Sequence, residues 1–191
     1  MALKIFEDIE IQMNYKADGL DDSWFDENGE VIEGSGMNRE FFDFDSFLKQ
    51  ELLDLCDAER ELIDSVVNGK KSILEIIEEE EEFLENGEMV YFLDLGVRSA
   101  VMALRYLGAY PVSSCNAGSF TEDPNHLEKN HPVIAFHSPH ELLIEVEKAA
   151  LITGCGLVGP RIGCLVLYTD DIRKFTDFAK HLCHSGISRM D

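Results

Sequence analysis

The sequence predicts an α+β protein: a ferredoxin-like β-α-β-β-α-β core with an extra C-terminal helix, preceded by an acidic hairpin and two helices. Three observations lead there. From residue 89 onward, short runs of aliphatic and aromatic residues alternate with segments of helical period. Glycines stand where the helices have to stop, at Gly108, Gly154 and Gly186. The run GCLVLYT (163–169) is almost continuously apolar, as expected of a strand covered on both faces.

In chain order, Leu3 to Met13 is a candidate strand. The next stretch, KADGLDDSWFDENGEVIEGSG, is rich in Gly and Asp. Within it FDENGEVI reads as a hairpin, because Asn28-Gly29 supplies the two positive-φ positions of a type I′ turn. Trp24 and Phe25 then need a surface, either this domain's own core or a partner's. From Asp45 the pattern turns helical: Leu48, Leu52, Leu55, Leu62 and Val66 recur at helical spacing, with Asp45 or Ser46 as cap and Asn68-Gly69 as stop. A second helix runs from about Ser72 to Leu84 with Ile73, Ile77 and Leu84 on one side. Its middle holds Glu78, Glu79, Glu80, Glu81 and Glu82, adjacent like charges that wrap around the helix. They are either a solvated face or a docking surface for a basic protein.

The aromatic, β-branched MVYFLD (89–94) is expected as the first core strand, with Asp94 capping the helix GVRSAVMALRYLG that follows; the alternative is one long helix through both. Val97, Val101 and Leu104 face inward. YPVSSC (110–115) is the second strand, a polar insertion follows, and PVIAF (132–136) is the third. At SPHE, Ser138 caps, Pro139 takes the first helical position and Glu141 completes a capping box. GCLVLYT is the fourth strand. DDIRKFTDFAKHLCHSG closes the chain as an amphipathic helix with Ile172, Phe175, Ala179 and Leu182 inward. Residues 1–88 are thus an acidic N-terminal segment expected to dock on the core, and residues 89–191 are the core domain.

The formal net charge is −22, from 38 acidic and 16 basic residues. A phosphate backbone requires a Lys/Arg footprint, so neither direct nucleic-acid binding nor an anionic membrane is expected. The acidity either maintains solubility or speeds association with a basic protein partner, at a rate that falls with salt. No apolar run reaches the roughly 18 residues that cross a bilayer. MALKIFEDIEIQMNYK lacks a signal peptide's apolar region, so the expected location is cytoplasmic. Five cysteines at irregular spacing are expected as reduced, mostly buried thiols.

Three motifs bear on chemistry. GCGLVG (154–159) matches a dinucleotide-binding pattern letter for letter, but a helix precedes it and a strand follows, the reverse of what that site requires. The glycines are expected to form a helix stop and a flexible connection. His126, His131, His137, His181 and His184 match no zinc spacing with the cysteines, and neither a metal nor a cofactor is expected. The turn in YPVSSCNAGSF is the remaining candidate. If its strand pairs with PVIAF as a hairpin, Cys115 comes near His131, giving a nucleophile and a base with Asn116 beside them. Ser113, Ser114, Gly118, Ser119 and free backbone N–H groups around the turn would bind a small anion. No third group to orient the histidine is evident, and the negative field would raise the thiol pKa.

Ser114, Cys115, Asn116, Ala117 and Gly118, followed by His131 and Pro132, resemble a bacterial family of uncharacterised function whose hairpin carries Ser-Cys-Asn-Ala-Gly and then His-Pro. The resemblance covers about 25 residues and implies no activity. The turn is also similar to the Ser-Ser-Cys-Ser-Gly-Arg turn of the wybutosine-synthesis methyltransferases. Here Ala117 precedes the glycine and no arginine follows Gly118, so that activity is not carried over. Two functions are therefore expected as alternatives. One is an acidic protein-binding module, such as an immunity or inhibitor protein or an accessory subunit of a larger, defence-type complex. The other is a small enzyme or ligand-binding domain with its site at Cys115 and His131. Whether the chain forms a homo-oligomer is left open.

Overall fold

Residues 3–15, 48–85, 89–120, 131–161 and 164–185 are described by the structure, a computed structural model. In order they form β1 (Met13–Asn14), α1 (Lys49–Val67), α2 (Ile73–Glu85), a 3-10 turn (Met89–Phe92), α3 (Arg98–Tyr106), β2 (Tyr110–Cys115), β3 (Val133–His137), α4 (His140–Thr153), β4 (Gly156–Arg161), β5 (Cys164–Tyr168) and α5 (Arg173–His184). The class is α+β. Trp24, Phe25, the Asn28-Gly29 hairpin, the Asp45 and Ser46 caps, His126 and Gly186 lie outside the described residues.

The sheet order is β1-β4-β5-β3-β2, which differs from the ferredoxin-like order in two places. MVYFLD does not enter the sheet; Met89–Phe92 is a 3-10 turn. Its polar and aromatic groups are engaged by helices instead: the Arg98 Nε donates to the Leu93 carbonyl at 2.7 Å, and the Tyr91 ring stacks on Phe83 with centroids 4.9 Å apart. Conversely, GLVGPR, expected as a flexible connection, is strand β4 and pairs antiparallel with β5. Both β3 and β4 run antiparallel to β5, so β3-α4-β4 is a split crossover with β5 between its strands. The split unit exists, built from other strands than those expected.

The three glycines of GCGLVG each answer a steric demand. Gly154 ends α4 in the left-handed conformation at φ +70°. A Cβ on Gly156 would sit 2.2 Å from Cζ of Tyr168, whose ring lies over it. A Cβ on Gly159 would sit 2.8 Å from that of Tyr15. Both close approaches attach the N-terminal segment. Of the strand expected over Leu3 to Met13, only a bridge from Leu3 to Phe120 and the two residues of β1, parallel to β4, are formed.

Alternation along the strands sorts the sheet into two faces. Ile134, Phe136, Leu157, Leu165 and Leu167 are fully buried and share one core with residues of all five helices. Val133, Ala135, Val158, Cys164 and Val166 point the other way and are half-buried. The expectation that β5 is covered on both faces therefore holds for one face only.

The helices follow their local signals closely. α1 buries Leu52, Cys56, Glu59, Ile63 and Val66; Leu48, expected inward, is exposed. It stops at Asn68 with Gly69 at φ +66°. α2 begins on a full capping box, Glu75 N–H to Ser72 Oγ at 3.1 Å and Ser72 N–H to the Glu75 carboxylate at 2.7 Å. The Ser72 backbone N–H, joined by the Ser72 hydroxyl, holds the Glu75 carboxyl below its ordinary pKa. At α4 the expected cap does not form, because the Ser138 hydroxyl donates to the Pro139 carbonyl and the helix starts at His140. In α5, Ile172, Phe175, Ala179 and Leu182 are all fully buried, as their spacing requires.

A buried polar network joins α1, α2 and α3. The Glu59 carboxylate, 1 % exposed, accepts the N–H groups of Gly96, Arg98 and Ser99 at 2.7, 3.0 and 2.9 Å. It thereby caps the first turn of α3 from another helix. The Arg98 guanidinium forms a bidentate pair with Glu80, at 2.6 and 2.7 Å. Glu80, expected on an exposed acidic face, is thus buried within the molecule, while Glu78, Glu79, Glu81 and Glu82 are exposed.

Glu59→Ala removes the acceptor of three buried donors and is expected to cost about 3 kcal/mol. In a chain of this size the melting temperature should fall by roughly 6 to 12 °C. Calorimetry of the variant, with Glu61→Ala on the exposed side of the same helix as control, measures it.

Candidate functional site

The structure offsets the two halves of the expected Cys115–His131 site along the hairpin. β2 and β3 do form the expected hairpin pair, with Cys115 in register with Val133. His131 therefore lies two residues before the paired position, outside the strand.

The turn after β2 is a buried knot. Asn116, 1 % exposed, donates its backbone N–H to the Asp94 carboxylate at 3.1 Å and its side-chain amide to the Leu95 carbonyl at 3.2 Å. Its Oδ1 accepts from the Gly118 N–H at 3.0 Å, an Asx turn. Its carbonyl accepts both the N–H and the hydroxyl of Ser119. The Ala117 N–H donates to the Cys115 sulfur at 3.3 Å. Four consecutive N–H groups, from Asn116 to Ser119, are thus engaged, the first by Asp94 and the other three within the turn, and none is offered to an anion. Ala117 at φ +57° and Gly118 at φ +65° are the left-handed pair that this closure requires. Ser119 is fully buried, and its carbonyl accepts from the Lys4 N–H, tying the N-terminus to the turn. Ser113 and Ser114 stay half-buried on β2.

His131 belongs to the open face of the sheet. Its ring packs on Tyr168, centroids 5.2 Å apart and planes tilted by 54°. Both line an open cavity of about 650 Å³ with Asp8, Ile9, Glu10, Gln12, Val158 and Val166. Cys115 and Asn116 are not part of that lining. The cavity has a floor of two valines, a wall of two aromatic rings and a rim with two carboxylates, and the Tyr168 hydroxyl closes one side. That hydroxyl donates to the Glu10 carbonyl and accepts from the Gln12 N–H, both at 2.8 Å. Burial lowers the His131 pKa, so its imidazole is neutral at neutral pH and does not oppose the acidic rim. This composition suits an apolar body carrying a positive charge.

Sequence reasoning found His131 but missed Asp8, Glu10 and Gln12, which meet it across more than a hundred residues, and Tyr168, which meets it through the pairing of β3 with β5. The available signal was the tyrosine at the end of the apolar strand, Tyr168. Among the described residues, no three His, Cys, Asp or Glu side chains converge as metal ligands. No helix among them is long and apolar enough to cross a membrane. Compared with protein-family models, with curated proteins and with solved structures, the chain matches none.

Gly156→Ala forces the Tyr168 ring aside and breaks its two bonds to the N-terminal segment. The expected cost is about 1 to 3 kcal/mol, with faster hydrogen exchange at the Gln12 amide, read by NMR. His131 itself should titrate below its ordinary value of 6.5. Its contribution to stability is therefore intact above that pH and declines as pH falls below it, because the unfolded chain takes up the proton first. An imidazole titration by NMR, and urea unfolding of wild type and His131→Phe across the acid range, test both statements.

Proposed function

We propose that this protein is an acidic cytoplasmic interaction module that engages a basic protein partner, in the manner of an inhibitor or immunity protein or an accessory subunit of a larger complex. The observation that supports it most is the division of labour along α2. Glu80 is locked inward on Arg98, which fixes the rotation of the helix and turns Glu78, Glu79, Glu81 and Glu82 outward. Only Glu79 among these four has a salt bridge among the described residues, to Lys71. With a net charge of −22, such a face steers a basic surface toward a defined edge of the molecule.

A second reading, small-ligand binding, is supported by the cavity beside His131 and Tyr168. There an organic ammonium or guanidinium group with an aliphatic stem would lie over Val158 and Val166, its charge toward Asp8 and Glu10. Trp24 and Phe25 retain their proposed place in the partner surface.

Capture of a partner by the full-length protein at low salt, followed by stopped-flow association of the purified pair, tests the first reading. Changing Glu78, Glu79, Glu81 and Glu82 to Gln should lower the association rate roughly ten-fold and flatten its salt dependence. Neutralising four other exposed acids, Glu7, Asp54, Glu61 and Glu141, should do much less. Equal losses from the two sets, or association indifferent to salt, would refute the reading.

A further inference from the structure

The five cysteines are all thiols, and four are buried; Cys164 is half-buried. Burial pushes Cys56 up to about 12 and Cys155 and Cys183 up to about 11, so these three are protonated and enclosed at neutral pH. Cys164 stands at the start of β5 on the open face of the sheet. Its sulfur lies 3.2 Å from Nε2 of His137, the last residue of β3. His137 is 2 % exposed, so the imidazole is enclosed, while Cys164 beside it keeps partial exposure. Burial also raises the Cys164 thiol above its ordinary value. At 3.2 Å, His137 is placed to take the thiol proton as the sulfur forms its new bond. The other titratable residues in register on the flanking strands are Tyr110, opposite His137 on β2, and Arg161, opposite Cys164 on β4.

We propose that Cys164 and His137 form a thiol–disulfide exchange site, at which Cys164 accepts half of a small disulfide. His137 takes the Cys164 proton as the sulfur attacks one sulfur of the disulfide. The new S–S bond forms, the old one breaks, and the departing thiolate recovers the proton from the imidazolium, leaving a mixed disulfide and one free thiol. Attack by a second small thiol reverses the sequence and returns Cys164. Exchange, rather than acyl or phosphoryl transfer, fits because charge develops on sulfur alone. Acyl and phosphoryl transfer would need donors aimed at an oxyanion, and the turn that carries such donors has spent them internally. The site is independent of the acidic helix face and of the cavity beside His131.

Cystamine is the suitable probe, since a small dication is drawn to a protein of this charge. Full-length protein is treated with cystamine at limiting concentration over a range of pH, and each cysteine is quantified by peptide mass spectrometry. Cys164 should form the mixed disulfide at least about ten-fold faster than Cys115 and the other three. Its rate should level off once the base has lost its proton, below the pH range through which an ordinary thiol keeps climbing. His137→Gln, checked for folding by circular dichroism, should slow Cys164 roughly ten-fold and restore the climb. The wild-type profile decides the matter even if the variant does not fold. A Cys164 rate that tracks an ordinary thiol titration, equal reaction at Cys115, or an unchanged rate in a folded His137→Gln protein overturns the proposal.

Discussion

Arg98 is the residue on which the helical layer turns. Its backbone N–H is held by Glu59 of α1 and its guanidinium by Glu80 of α2. One position thus fixes three helices. Removing the carboxylates from water is costly, and each oxygen is compensated: Glu59 by three N–H groups at the positive end of α3, Glu80 by a two-pronged pair. A further carbonyl, that of Leu93, is satisfied by the remaining Nε. With the Leu93 N–H donated to the Val90 carbonyl and the Leu93 carbonyl taken by Arg98, the end of this segment is closed on itself and on α3 instead of on a sheet ladder.

That substitution explains where the fold could be read from sequence and where it could not. Helix stops at Gly69, Gly108 and Gly154 were legible because a positive φ is a local demand that glycine meets, and all three adopt it. The inward face of α5 was legible because an apolar stripe covers it, whereas α3 is buried on every side from Arg98 to Leu104. Strand order was not. MVYFLD has sheet-forming composition, but its fate is set by Arg98 and Glu80, and GLVGPR has loop composition but is strand because Tyr168 and Tyr15 occupy the space its missing side chains leave. Glycine scored as flexibility was, at Gly156 and Gly159, contact.

The candidate site was legible in part for the same reason. The hairpin of β2 and β3 was foreseen, yet register places His131 beyond Val133, the partner of Cys115, and the histidine packs on Tyr168. Asn116 reads equally as a ligand-binding amide or a turn former until Asp94 and Leu95 are seen to take its donors. In the glutamate run, a buried carboxylate is spelled like an exposed one, and only a cation elsewhere in the chain distinguishes Glu80 from its neighbours.

The Tyr168 hydroxyl both gives a hydrogen bond to a carbonyl and takes one from an N–H, two residues apart on the same segment. Those are the two bonds that a neighbouring strand's peptide would supply. A side chain therefore stands in for a strand along residues 10 to 12, where regular pairing is missing, and β1 resumes the pairing at Met13. The outer edge of β4 is in this way covered by a graft of phenol and short strand, and the edge the sheet presents there passes to β1, while a cavity stays open beside the phenol.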